Sequence, residues 1–322
     1  MRITEFIDQA DSFSKTGTPF LFLIDFEMRQ PRLWLAHQVD RDELLYSING
    51  FTNAKDNTQP KPVSFSLYPF DKEDYQARFN TVLQHLNYGN TFLTNLTVKS
   101  KIEINIPLRE LFFSVQAPYQ CWLHNQFLFF SPECFVKIIN GKIFSFPMKG
   151  TIDAEIPEAA SVILSDEKER AEHVTIVDLL RNDLSCVATQ VTVKRFRYLE
   201  RIKTNRNAIL QVSSEIVGDL LPMYKDRIGS LLVKLLPAGS VSGAPKEKTM
   251  QVIRAAEQES RKYYTGIFGY FDGENLDSCV NIRFMEQQGD AIFYRSGGGV
   301  TARSNWQNEY QEVIQKIYVP VV

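Results

Sequence analysis

The chain has 322 residues, 44% hydrophobic and 23% charged, with a formal net charge of -2 and a pI near 6.2. That is the composition of a globular protein with a sizeable core, and the slightly acidic balance excludes the basic stripe of a nucleic-acid binder. No apolar run is long enough for a membrane span and the first residues, Met1 to Phe6, lack the apolar segment of a signal peptide, so a cytoplasmic location is expected.

Phe20 to Phe26 reads as a buried strand and Pro31 to Leu35 as its hairpin partner. Asn53 to Pro62 is polar, ends in prolines and reads as a loop. Helical spacing runs from Glu73 to Tyr88 and stops at Gly89. Strands are expected over Thr91 to Val98, Cys121 to Phe130 and Lys142 to Phe146. An amphipathic helix follows over Asp166 to Leu184, and another from Pro245 to about Tyr263. The last part alternates strands (Tyr264 to Tyr270, Ser278 to Phe284, Ala291 to Ser296) and closes with a helix from about Asn305 to Tyr318. Strands and helices without βαβ regularity indicate an α+β fold. No linker composition interrupts the chain, so one domain over residues 1–322 is expected.

The cysteines (Cys121, Cys134, Cys186, Cys279) have neither zinc nor CxxC spacing and read as free thiols. The histidines (His37, His85, His124, His173) form no HExxH motif.

Several constellations could carry chemistry. Lys149, in Pro147-Met148-Lys149-Gly150-Thr151, lies between an apolar strand and a Gly-Thr turn. Loss of solvent there would lower its pKa toward neutrality and make the amine a nucleophile. Glu169 and Glu172 share one helix face, as do Glu309 and Glu312. Two such faces brought together would make a hard oxygen site suited to Mg2+. Ser296-Gly297-Gly298-Gly299-Val300 lets backbone amides approach an anion. Pro237 to Lys246 is a small-residue loop with a proline near a helix start. Arg283 and Tyr264, beside apolar strands, are candidates for binding a carboxylate.

Together these strings resemble the chorismate-utilising enzymes, which include anthranilate, aminodeoxychorismate, isochorismate and salicylate synthases. The resemblance rests on Ser131-Pro132-Glu133-Cys134-Phe135, the Lys149 string, Glu172 to Leu184, Pro237 to Lys246, Arg261 to Gly269, Ile282-Arg283 and the glycine string followed by Glu309 and Glu312, all in family order. It covers about residues 70 to 318. Residues 66–320 would be the catalytic core, and residues 1–65 match less clearly. The implied fold is large, mostly antiparallel sheets packed as a sandwich with flanking helices.

The lysine at position 149 resembles the aminodeoxychorismate synthase branch, where anthranilate synthases typically carry alanine. The implied reaction converts chorismate and ammonia to 4-amino-4-deoxychorismate through a covalent lysine intermediate, for 4-aminobenzoate and folate synthesis. Glu133 would be the general acid/base, Glu172 and Glu312 the Mg2+ ligands, and Glu169 and Glu309 their water-mediated partners. Arg283, Tyr264, Gly298 and Gly299 would bind the enolpyruvyl carboxylate, with Thr151 and Ser240 lining the pocket. Ammonia would come from a separate glutamine amidotransferase subunit. Gln211 stands where the family often has histidine, and an amide cannot act as acid or base. The alternatives are an anthranilate or isochorismate synthase, or a non-catalytic chorismate-binding regulatory subunit.

Overall fold

The computed structural model describes residues 1–54, 59–203 and 208–320. Two nine-stranded sheets, each antiparallel throughout, form the body. The first sheet runs Met148–Asp153, Ala208–Leu220, Lys142–Ser145, Cys134–Ile139, Leu276–Val280, Ile267–Phe271, Phe20–Ile24, Arg32–Leu35, with Ala188–Lys203 added on Ala208–Leu220. The second runs Gly243–Ala244, Leu93–Ile104, Ala291–Val300, Phe284–Gln288, Phe127–Ser131, Tyr119–Leu123, Leu44–Ile48, Phe51–Thr52, with Phe65–Tyr68 added on Leu93–Ile104.

The sheets face each other through one apolar layer, and the period-2 geometry of strands explains the sequence runs. In Phe20–Ile24, Leu21 and Leu23 enter that layer with Phe127, Phe129, Phe268 and Phe284. Phe20, Phe22 and Ile24 enter a second core on the opposite face, with Leu231, Leu232 and Phe6. Phe127–Ser131 does the same, sending Leu128 and Phe130 outward against Leu111 and Phe112. Both strands are therefore apolar at consecutive positions because both faces are covered. Helices Lys72–Asn87, Lys246–Glu257 and Trp306–Gln315 pack on the second sheet around Tyr75, Phe79 and Val313. Among the described residues no helix is long and apolar enough to cross a membrane.

Several boundaries differ from the sequence reading. An N-terminal helix, Ile3–Lys15, precedes the first strand; it is capped by the Arg2–Glu5 pair and packs Phe6 and Ala10 inward. The expected strand at Cys121 to Phe130 is a hairpin, Tyr119–Leu123 and Phe127–Ser131, turned at Asn125 with φ 54°. Helix Lys246–Glu257 stops early because Gln258 adopts the left-handed conformation. Ser278 to Phe284 is not one strand: Leu276–Val280 belongs to the first sheet and Phe284–Gln288 to the second, and 281–283 cross between them with Arg283 at φ 54°. The glycine string is no turn but the end of Ala291–Val300. In the expected loop at 53–62, residues 55–58 lie outside the described residues, and the rest has neither helix nor strand.

A buried ion pair closes a gap in the second sheet. Glu257 and Arg261 are each 1% exposed. Glu257 Oε1 accepts from the Thr97 amide at 2.8 Å, while Arg261 donates to the carbonyls of Asn95 at 2.7 Å and Val241 at 2.8 Å. The guanidinium also lies 4.4 Å from the Phe26 ring centroid. Glu257→Gln leaves a buried guanidinium without its counter-charge and is expected to cost about 3–5 kcal/mol in urea unfolding. Replacing both residues by methionine will not restore stability, because three backbone groups lose their partners.

Candidate active site

A cleft of about 2490 Å³ opens where the two sheets diverge, and Glu133, Lys149, Thr151, Glu169, Glu172, Gln211, Ser240, Tyr264, Arg283, Gly299, Glu312 and Lys316 line it. Lys149 reaches it from a bulge. Met148 pairs with Ser213 and Thr151 with Gln211, so the Lys149 strand carries one residue more than its partner. Gly150 takes φ +88°, and a Cβ on it would lie 3.0 Å from Glu169 Oε2. The bulge thus needs glycine for both its backbone and its packing.

Asp166 caps the Glu167–Ser185 helix by accepting from the Glu169 amide at 2.9 Å. Glu172, one turn further, accepts from Lys149 Nζ at 2.7 Å. The neighbouring His173 points away from solvent, with Nε2 2.7 Å from Ser214 Oγ. Burial, then the Arg197 charge, pushes its pKa down to about 4, so it is neutral. It anchors the helix to the Ala208–Leu220 strand. At the far end of the same helix Asp183 pairs with Lys246 at 2.9 Å.

The Trp306–Gln315 helix supplies the facing carboxylates, capped by Asn305. Glu309 Oε2 and Glu312 Oε1 both lie 3.6 Å from the place a Cβ on Gly298 would occupy. Lys316, which the sequence reading missed, pairs with Glu312 at 2.7 Å and donates to the Gly297 carbonyl at 3.0 Å. Its signal was its place one turn beyond Glu312.

That bond shows which glycine amides face the cleft. A strand residue points its N–H and C=O to the same side, alternating along the chain. The Gly297 carbonyl turns to Lys316, and the opposite residue, Thr97, turns its amide to Glu257. Gly297 and Gly299 therefore present amides to the cleft, and Gly298 bonds to the Leu96 side. The expectation that Gly298 supplies an anion-binding amide is corrected: its amide faces the Leu96 strand.

Glu133 accepts from Ser240 Oγ at 2.5 Å. Burial raises its carboxyl above the usual range, against the opposing pull of Ser240, Arg283 and Lys316. Lys149 does not follow the sequence expectation. Burial alone would lower it, but Glu172, Glu312 and Glu169 together outweigh burial and raise it, so the amine stands as an ammonium. Lys316 moves the other way, lowered by burial, although Glu312 opposes the shift.

Tyr264 is 4% exposed, and burial pushes its phenol up to about 12, leaving it a neutral donor. Arg283 has a buried Nε with no hydrogen-bond partner among the described residues. Burial lowers its pKa, but the phenols of Tyr318, Tyr294 and Tyr264 outweigh this and raise it. A buried guanidinium with a spare donor suits a carboxylate.

The residues present fit a divalent cation in chemistry. Glu169, Glu172, Glu309 and Glu312 offer hard oxygens, and lysines pair with Glu172 and Glu312. Among the described residues no three His, Cys, Asp or Glu side chains converge as a metal cluster.

Comparison with known proteins gives the class. A family model described as chorismate binding enzyme matches residues 19–321, and the chain belongs to that family. It is 51% identical, over its whole length and that of the relative, to an uncharacterized PabA-like protein of Pasteurella multocida. It is 29% identical to the aminodeoxychorismate synthase component 1 of Bacillus subtilis, over 81% of this chain and 57% of that one. Anthranilate synthase component I of Streptococcus pneumoniae superposes with a TM-score of 0.67 at 28% identity, covering 81% of this chain and 60% of that chain. The menaquinone-specific isochorismate synthase of Escherichia coli shares the fold, with a TM-score of 0.73 at 16% identity, over 97% and 80% of the two chains. The α+β fold expected from the sequence, two antiparallel sheets with flanking helices, is the one observed.

If Glu133 acts as the acid, kcat/KM falls as pH rises through its pKa. Ser240 favours the ionised form, so Ser240→Ala should move that falling limb to higher pH. Glu133→Gln should lose roughly 100-fold or more of the rate. A limb that stays in place in Ser240→Ala, measured across buffers at saturating metal, rejects the pairing.

Proposed function

We propose that this protein is an aminodeoxychorismate synthase component I, converting chorismate and ammonia to 4-amino-4-deoxychorismate and water. The observation that carries the reading is an amine and a carboxyl of raised pKa in one cleft: Lys149 on its bulge, and Glu133 held by Ser240. Lys149, after giving its extra proton to solvent, forms a bond from Nζ to C2 of the ring, both conjugated ring double bonds shift, and the C4–oxygen bond breaks. Glu133 gives its proton to the departing hydroxyl. Ammonia then bonds at C4 as the carbon–lysine bond breaks, and the enolpyruvyl group is retained.

Arg283, Tyr264 and the amides of Gly297 and Gly299 take the enolpyruvyl carboxylate. Glu172 and Glu312 are the residues that would hold Mg2+, with Glu169 and Glu309 behind them. When bound, Mg2+ would neutralise the ring carboxylate and orient the ring. The pair with Glu172 keeps the proton on Lys149, so the amine becomes nucleophilic once the Glu172 charge is engaged elsewhere. Ammonia is supplied free or by a separate glutamine amidotransferase subunit. Gln211, opposite Thr151 in the sheet, brings no imidazole to the cleft, which agrees with retention of pyruvate.

The second reading is isochorismate formation, in which Lys149 activates water. The charged Lys149–Glu172 pair favours it, since a lysine paired with a carboxylate can pass protons. Incubation with chorismate, ammonium and Mg2+, with products separated and weighed by mass spectrometry, decides between them. The expected product is 4-amino-4-deoxychorismate; isochorismate or anthranilate in its place overturns the proposal. Lys149→Ala should abolish that product, and EDTA should stop the wild-type reaction. A Lys149→Ala enzyme of undiminished rate removes the covalent route.

A further inference from the structure

We infer that Tyr318 is a positioning residue for substrate binding: its ring fixes the Arg283 guanidinium so that its donors face a substrate carboxylate. The inference rests on assigning Arg283 to that carboxylate. The Tyr318 ring centroid lies 5.0 Å from the guanidinium carbon, within the range of a cation–π contact. Arg283 makes no ion pair among those the described residues form, and its neighbours are the phenols of Tyr318, Tyr294 and Tyr264. The Tyr318 side chain also takes one hydrogen bond from the guanidinium, which leaves Nε and the other donors for a substrate, whereas a carboxylate partner would consume two of them.

The segment carrying Tyr318 is fixed on both sides. Ile317, 6% exposed, and Val319 pack into the core around Phe112, Phe130 and Met285. The Tyr294 hydroxyl donates to the Tyr318 carbonyl at 2.9 Å, and the Gln116 amide donates to the Pro320 carbonyl at 3.1 Å. Lys316, immediately before, holds Gly297. The backbone is therefore extended, with Ile317 and Val319 inward and Tyr318 left 42% exposed at the cleft wall. An aromatic side chain held rigidly at the edge of a cleft, above a buried cation, is placed for a ligand and contributes little to the core.

The test is calorimetric titration of chorismate, with Mg2+ present, into the full-length protein and its variants, alongside kcat and KM. Tyr318→Leu and Tyr318→Ala should weaken binding roughly 3- to 30-fold, the range of a partly desolvated cation–π contact. KM should rise while kcat changes much less, and Tyr318→Phe should restore binding because it keeps the ring. Thermal unfolding identifies a variant that has lost its fold, and Tyr318→Leu keeps the bulk if Tyr318→Ala does not fold. Unchanged binding in the folded variants overturns the inference, as does equal loss in Tyr318→Phe, which would assign the effect to the hydroxyl. Arg283→Ala separates the two levels: undiminished binding there rejects the Arg283 assignment itself. The titrations are made in a Glu133→Gln background, which stops turnover under either reading, so a failure of the lysine-addition reading leaves this test intact.

Discussion

Between Asn95 and Thr97 the Leu93–Ile104 strand has, among the described residues, no neighbouring strand on one side, and a buried ion pair takes its place. Gly243–Ala244 pairs with Leu93 and Thr94, and Phe65–Tyr68 resumes the pairing from Lys101. In the interval Glu257 accepts the Thr97 amide and Arg261 donates to the Asn95 carbonyl, as a strand backbone would. The same guanidinium reaches the Val241 carbonyl, beside Ser240, and its residue opens the turn through Tyr264. One cation thus joins the second sheet, the loop that holds Glu133 and the segment that presents Tyr264. An apolar pair could fill the volume but could not satisfy those backbone groups, which is why the cost of burying charge is offset here.

The opposite side of the cleft depends on glycine. Gly150, at φ +88°, lets the lysine strand bulge beside Glu169, and Glu309 and Glu312 of the Trp306–Gln315 helix lie next to Gly298 on the second sheet. Carboxylates from two helices that are far apart in sequence are thus gathered around one lysine. Gathering them has an electrical consequence: Glu172, Glu312 and Glu169 act on Lys149 at once, and their sum exceeds the effect of burial. Glu133 stands outside that cluster, where burial prevails and raises its carboxyl. Two groups in one cleft are both driven to higher proton affinity, one by burial and the other by neighbouring charge.

The sequence made the carboxylate pairs, Lys149, Glu133, Arg283 and Tyr264 legible, because each lay in a string with a defined spacing or order. The strands covered on both faces were legible too, since Phe20–Ile24 has no polar position to mistake for a surface. Tertiary effects were not. The N-terminal helix has a polar face that hides its apolar stripe. The extended hairpin of Ala188–Lys203 and Ala208–Leu220 is rich in charge on an edge strand, which sequence patterning cannot distinguish from a loop. The orientation of the glycine amides depends on strand register, which only pairing partners reveal. The direction of the Lys149 shift depends on carboxylates whose proximity no local pattern encodes.

No histidine is among the residues lining the cleft. His173 is next in sequence to Glu172, yet burial keeps it neutral and engaged with Ser214, and Gln211 cannot exchange a proton. Proton transfer inside the cleft therefore falls to carboxyls and amines. Of these, burial strengthens the hold of Glu133 on a proton, and Glu172 strengthens that of Lys149 on another. The first can be released to a leaving oxygen as charge develops there. The second is released only when the carboxylate cluster is compensated, which ties the readiness of the amine to the charge state of the cluster that would also receive the cation.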